Sequence, residues 1–168
     1  VLVGTREEDG SWDLAPKHMA MPLGWSARFG FMCTPKHGTY RNAQREGGFT
    51  VSYPRPSQLL SVSLAAAPRC DDSSKPALAA LPVFEARSVK GPLLQDAYLH
   101  LECRLDRTVD DLDGASLVMG EIVAAYAASA AVRRHGVDDA DLLAAEPLLA
   151  YLYPGRWSKV DATQAFPF

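Results

Sequence analysis

The stretch Leu14–Gly47 holds most of the residues able to do chemistry. Ala15-Pro16-Lys17-His18 leaves one β-type run, and Thr34-Pro35-Lys36-His37-Gly38-Thr39-Tyr40-Arg41-Asn42 carries a second run into a helix. A loop that feeds a helix N-terminus presents free backbone N–H groups and the positive end of the helix dipole. Lys36, His37 and the Thr39 hydroxyl add side-chain donors at the same place, a combination that suits a phosphate. Asn42 lies one turn beyond Thr39, so both can share a helical face. The same spacing also fits a cap at Thr39, a solvated Lys36 and an exposed Asn42. The local pattern leaves both readings open.

Elsewhere the chemistry thins out. His100 falls on the polar side of an alternating strand, and His135, in Arg133-Arg134-His135-Gly136, reads as a solvated turn. Trp12, Trp25 and Trp157 could stack on a ring, although core or interface positions are expected for Trp12 and Trp25. Glu102 and Glu121 lie in strands with no evident partner, so a paired acid–base mechanism has no support. Cys33, Cys70 and Cys103 are odd in number, widely spaced and lack a C-x-x-C pattern. That argues against a disulfide framework or a metal site, and a reducing, cytoplasmic compartment is expected.

The elements that must position these residues follow from the hydrophobic pattern. Val1–Thr5 and Ser11–Pro16 read as strands around a polar turn ending in Asp9-Gly10, and Arg28–Thr34 as a strand closed by Pro35. A helix is expected over Gly38–Glu46 with Gly47-Gly48 as its stop. Phe49–Tyr53 reads as a strand, and Ser57 caps a helix through Ala66 with Leu60 and Leu64 on one face. Arg69–Lys75 reads as a polar loop. Tyr98–Arg107 alternates apolar and polar residues, whereas Ser116–Tyr126 is more continuously apolar, as in a strand covered on both faces. Asp110–Gly114 supplies the turn between them. Asp138–Ala145 reads as a short capped helix, and Leu148–Tyr153 and Arg156–Val160 flank Pro154-Gly155.

Many strands with few short helices favour a mainly β fold, a β-barrel, in one domain over residues 1–168. The chain of 168 residues is 48% hydrophobic, enough for a core. Its net charge of −3 gives no electrostatic footprint for nucleic acid or an acidic membrane surface. A bound anion would have to be held by local donors. No apolar run approaches membrane-spanning length. The chain opens at Val1 inside an apolar run, so residues upstream are expected.

The segments Val1-Leu2-Val3-Gly4-Thr5, Asp13-Leu14-Ala15-Pro16-Lys17-His18, Lys36-His37-Gly38-Thr39-Tyr40-Arg41-Asn42, Glu46-Gly47-Gly48-Phe49-Thr50-Val51, Leu101-Glu102-Cys103-Arg104-Leu105 and Val118-Met119-Gly120-Glu121-Ile122-Val123 follow one another in a telling order. In that colinear order, ending near Lys159, the chain resembles the flavin reductase-like, FMN-binding split-barrel family. The resemblance implies a split β-barrel in which Pro16, Lys17 and His18 border the isoalloxazine ring of flavin mononucleotide (FMN). Lys36, His37, Thr39 and Asn42 would face its phosphate, and Thr34 would reach the ribityl chain. Arg156, in Tyr153-Pro154-Gly155-Arg156-Trp157, would contact a nicotinamide nucleotide. His18 would donate a hydrogen bond, position a nicotinamide, or only shape the pocket.

The reaction implied is hydride transfer from NADH or NADPH to flavin, with no catalytic acid, base or nucleophile named. A homodimer with flavin near the interface is implied, and an oxygenase partner is left open. Two alternatives stand beside it: a non-catalytic FMN carrier or electron-transfer protein resembling flavoredoxin, and a cofactor-free interaction domain. The departures are Lys17-His18 where the family commonly has an aromatic residue and Ser, Gly38 where an acidic residue commonly stands, and Asp13 in place of Asn. They bear on substrate choice and rate more than on FMN binding.

Overall fold

The computed structural model describes residues 1–167. Strand β1 (Leu2–Arg6) turns at Asp9-Gly10 into β2 (Trp12–Pro16), with Gly10 at φ 85° where a side chain would be strained. A short strand not apparent in the sequence, β3 (Ala20–Pro22), precedes β4 (Arg28–Cys33). Helix α1 (Gly38–Glu46) ends at Gly47, which adopts φ 68° and returns its N–H to the Ala43 carbonyl. Strand β5 (Gly48–Tyr53) follows at once.

Next come a 3-10 turn (Pro56–Gln58), α2 (Leu59–Ala65), a second 3-10 turn (Pro76–Ala80), and the small strands β6 (Val83–Glu85) and β7 (Pro92–Leu94). The long strands β8 (Leu99–Leu112) and β9 (Ala115–Ala127) complete the main sheet. Helix α3 (Asp139–Ala145) is capped by the Asp138 carboxylate, and β10 (Leu148–Leu152) pairs with β11 (Arg156–Val160). Among the described residues no helix is long and apolar enough to cross a membrane.

The main sheet runs β2-β1-β5-β8-β9-β4-β3, with antiparallel pairing throughout. It curls on itself. Phe31 of β4 meets Phe49 of β5 edge-on, ring centroids 5.0 Å apart, although β8 and β9 separate the two strands in the sheet. Val3, Phe29, Phe31, Phe49, Val51 and Val118 fill the inside, and Tyr40 and Ala43 of α1 pack against the same core. Each fully buried Phe contributes about 1.5–3 kcal/mol relative to exposure. The period-2 alternation of β1 sends Leu2 the other way, onto Leu14, Ala65, Leu81 and Leu94. Gly4 lies where the β7 segment presses on β1, and a Cβ there would collide with the Pro92 carbonyl and the Thr50 hydroxyl.

Four expectations need correction. The β8–β9 turn is only Asp113-Gly114, both at positive φ, because β8 continues to Leu112 through bulges that bend the long hairpin. Strand β9 is not covered on both faces: Ser116, Val118 and Gly120 are buried in alternation, and beyond Glu121 the strand emerges into exposure. In the α2 region Ser57 lies inside the preceding 3-10 turn and does not cap the helix, and Leu60 is exposed instead of sharing a packed face with Leu64.

The fourth concerns the polar side of β8. The sequence pattern cannot show that the segment 83–94 folds over this side. His100 is buried there, with Nε2 2.7 Å from the Leu94 carbonyl oxygen and its ring edge-on to Phe84. Glu102 is fully buried and accepts the backbone N–H groups of Arg87, Ser88 and Val89. Burial alone would raise the Glu102 carboxyl, but the Ser88 and Arg87 N–H donors, with the Tyr126 hydroxyl, outweigh it and hold it below the usual carboxylate range.

Candidate functional site

The curl of the sheet brings the end of β2 beside the end of β4. The β1–β2 ladder extends one residue past β2, with Lys17 N–H on the Val1 carbonyl at 2.9 Å and the Val1 amine on the Lys17 carbonyl at 3.1 Å. This fixes the Lys17 backbone. Its ammonium reaches across the gap to Cys33 Sγ at 3.4 Å and lies 6.0 Å from the Phe31 ring centre. Cys33 Sγ is 3.9 Å from His37 Nδ1. Lys17 therefore serves the same spot as His37, at the entrance to α1. Partial desolvation, and next the Lys17 ammonium, lower the His37 imidazole below its ordinary range.

The entrance itself is set by a turn. His37 donates its N–H to the Thr34 carbonyl at 3.0 Å, then takes an extended N-cap conformation without capping α1 through its side chain. No acidic residue stands in the first helical turn. The helix thus meets its surroundings with unsatisfied N–H groups and a positive dipole end. Lys36 and His37 are exposed beside it, Thr34 is half-buried at the exit of β4, and Arg41 folds back to the Lys36 carbonyl at 2.6 Å.

Thr39 and Asn42 are placed differently from Lys36. Both are buried. The Thr39 hydroxyl donates to Asp13 Oδ2 at 3.0 Å, and Asn42 Nδ2 donates to Thr5 Oγ1 at 3.2 Å while Asn42 Oδ1 accepts Arg45 Nη1 at 3.0 Å. Their side chains tie α1 to β1 and β2. A hydroxyl has a single proton to donate, and that of Thr39 is directed at Asp13. What Thr39 can still offer an anion is its backbone N–H.

Residues that sequence reasoning passed over complete this network. Arg69, read as part of a polar loop, places Nη2 3.0 Å from Asp13 Oδ1 and also pairs with Glu7. A Cβ built on Gly38 would lie 3.0 Å from that same Arg69 nitrogen and 3.3 Å from Glu7 Oε1, so the Arg69–Glu7 ion pair sits over the start of α1. Lys75 donates to the carbonyls of Leu14 at 3.3 Å and Ala65 at 2.5 Å, and stands 4.0 Å from Asp13. Desolvation lowers its ammonium below the usual range, with Asp13 pulling the other way. The signal available in the sequence was Asp13 itself, an acid between Trp12 and Leu14 in a buried strand, which requires a cation or a donor nearby.

On the other side, Pro16 is half-buried at the end of β2 and His18 is exposed, its ring 5.2 Å from that of Tyr151 in β10. The β10–β11 hairpin thereby closes over the loop after β2. Arg156 opens β11 opposite Leu152 and is exposed; among the described residues the structure gives it no contact with Lys17, His18, Lys36 or His37. Trp157 is half-exposed, Trp25 is fully exposed, and Trp12 lies under the Arg6 guanidinium at 4.7 Å.

Uncapped N–H groups with Lys36, Lys17 and His37 around them fit a phosphate monoester. Next to them stand Pro16, the Lys17 stem and the His18 and Tyr151 rings, side chains of the kind that border a flat aromatic group.

Comparison with known proteins identifies the family and the fold. A family model described as a flavin reductase like domain matches residues 1–152. A Shewanella frigidimarina protein assigned as a flavin reductase with a split barrel domain superposes with a TM-score of 0.83 at 22% identity, covering 99% of this chain and 84% of that one. Nitrilotriacetate monooxygenase component B from Bacillus cereus gives 0.80 at 21%, covering 99% and 85%. An FMN-binding protein from Thermus thermophilus, solved with 1-cyclohex-2-enone, gives 0.79 at 20%, covering 98% and 87%. At these identities the likeness is one of fold: the curled sheet is a split barrel.

Proposed function

The chain belongs to the flavin reductase like domain family, and from that premise we propose that it binds FMN at the start of α1 and passes hydride from NADH or NADPH to flavin. The observation that carries the reading is the uncapped N-terminus of α1, free of acids in its first turn and flanked by Lys36 and His37. The overall charge of −3 cannot recruit a dianion, so a local donor set of this kind has to do it.

In this reading Lys36, His37 and the first N–H groups of α1, including that of Thr39, hold the phosphate. Arg69 lies over them in its ion pairs with Glu7 and Asp13, and Asn42 acts behind them by fixing α1 to Thr5. Thr34 borders the ribityl chain. Pro16, Lys17 and His18 line the ring, with Tyr151 backing His18. FMN, when bound, supplies the two-electron redox chemistry; the protein binds, orients and excludes water. Arg156, on the exposed edge of the hairpin, receives the charged part of the nicotinamide nucleotide.

Two partners follow. Tyr126 on β9 and Tyr151, Leu152, Tyr153 and Trp157 on the hairpin are exposed, a surface that a second copy of the chain would cover in a homodimer. A reductase that releases reduced flavin would serve an oxygenase. The family neighbour from Bacillus cereus is named as a monooxygenase component, which supports that pairing.

The test is an absorbance spectrum of protein mixed with FMN, repeated anaerobically after adding NADH and then NADPH. Bleaching of the flavin band supports the reading. Binding without bleaching by either nucleotide assigns the chain to the electron carriers instead, and no binding of FMN overturns the site.

A further inference from the structure

We propose that Lys17 and Cys33 form a redox-operated covalent clasp, a nitrogen–sulfur (sulfenamide) bond made under peroxide. The basis is the contact across the gap between β2 and β4, where the Lys17 ammonium donates to Cys33 Sγ at 3.4 Å and His37 Nδ1 lies 3.9 Å from the same sulfur. Among the described residues no carboxylate forms an ion pair with Lys17; its side-chain partner is the thiol. The other cysteines lack this arrangement. Cys70 is exposed on a loop, and Cys103 is fully buried with its thiol pushed up to about 12 by desolvation.

The chemistry balances with one peroxide. The Cys33 sulfur attacks a peroxide oxygen; an S–O bond forms, the O–O bond breaks, and water leaves a sulfenic acid. The Lys17 amine, its ammonium proton released to solvent, attacks that sulfur. An S–N bond forms, the S–O bond breaks, and a second water departs. Sulfur loses two electrons and peroxide gains them.

The clasp joins the end of β2 to the end of β4, strands with four others between them in the sheet order, and it takes the charge of Lys17 out of the anion site. The first consequence is a more stable barrel. The second, weaker FMN binding, rests on the function proposed above, whereas the bond itself does not.

The experiment uses the full chain carrying Cys70→Ser, treated with hydrogen peroxide and analysed by intact mass and peptide mapping. The expected product is lighter by two hydrogens, contains a peptide joining Lys17 to Cys33, and reverts with dithiothreitol. Its melting temperature rises by several degrees, and its FMN affinity falls by about tenfold. Lys17→Arg keeps the charge, gives no linked peptide and stops at a sulfenic acid that dimedone traps. Recovery of Cys33 as a free thiol or as sulfinic acid, with Lys17 still open to amine reagents, overturns the clasp. A clasp that forms without changing FMN affinity upholds the bond and removes Lys17 from the flavin site.

Discussion

The Thr39 hydroxyl donates to the Asp13 carboxylate at 3.0 Å inside the protein, so α1 is anchored to β2 by a charge-assisted hydrogen bond beneath the surface that faces an anion. Thr39→Val keeps the shape and removes the donor. Since hydrogen bonds to charged groups contribute about 1.5–3 kcal/mol, stability should fall by roughly that amount in urea unfolding. FMN affinity should change less than threefold, because the backbone N–H of residue 39 survives. A large loss of affinity with normal stability would show that the hydroxyl faces the phosphate.

Lys36→Ala should do the reverse. The residue is exposed at the helix entrance, so unfolding should be unchanged, while FMN affinity falls by about tenfold to a hundredfold, the equivalent of about 1.5–3 kcal/mol. Riboflavin, which lacks the phosphate, should bind wild type and variant alike. Fluorescence quenching titrations of the two flavins read both effects.

Asp13→Asn replaces the buried acid by the residue common in the family. It removes a negative charge from beside the start of α1 and frees Arg69, which now pairs with Asp13 and Glu7. FMN should bind several-fold more tightly, and thermal melting should occur at a lower temperature. Tighter binding that vanishes at high salt would identify the cause as Coulombic.

Glu102→Gln should loosen the segment that the carboxylate holds through Arg87, Ser88 and Val89. The expected cost is about 1.5–3 kcal/mol, with faster hydrogen exchange at those three amides and unchanged FMN affinity. The wild-type carboxyl is held below its ordinary value of 4.5, so its contribution is present above that pH and is lost as pH falls through the lower folded value. The variant should lack this acid-side slope.

Alkaline unfolding has a defined sign as well. Burial pushes both Cys103 and Tyr53 up to about 12, from ordinary values of 9.0 and 10.0. The unfolded chain therefore releases these protons first, and stability should decline from about pH 9 for Cys103 and about pH 10 for Tyr53 until the folded groups titrate near 12. Cys103→Ala should remove the portion that begins near pH 9, measured as urea midpoints against pH.

The local elements were legible in the sequence because their determinants are local. Gly47 stops α1, the β-branched run Val1–Thr5 marks β1, and Pro35 ends β4 before the helix entrance. The uncapped helix start, with Lys36 and His37 beside it, could be read for the same reason: a loop and a first turn are contiguous in the chain. The sequence could not tell a donor aimed at a ligand from one aimed at the protein. Thr39 and Asn42 have the right chemistry for a phosphate, yet the curl of the sheet sets Asp13 and Thr5 against them. Likewise, only the fold of the segment 83–94 over β8 made His100 and Glu102 interior groups, and only the meeting of β2 with β4 put Lys17 beside Cys33. Such pairings depend on how distant strands curl and which face is covered. Their energy comes from desolvation and contact between residues far apart in the chain, which no local spacing records.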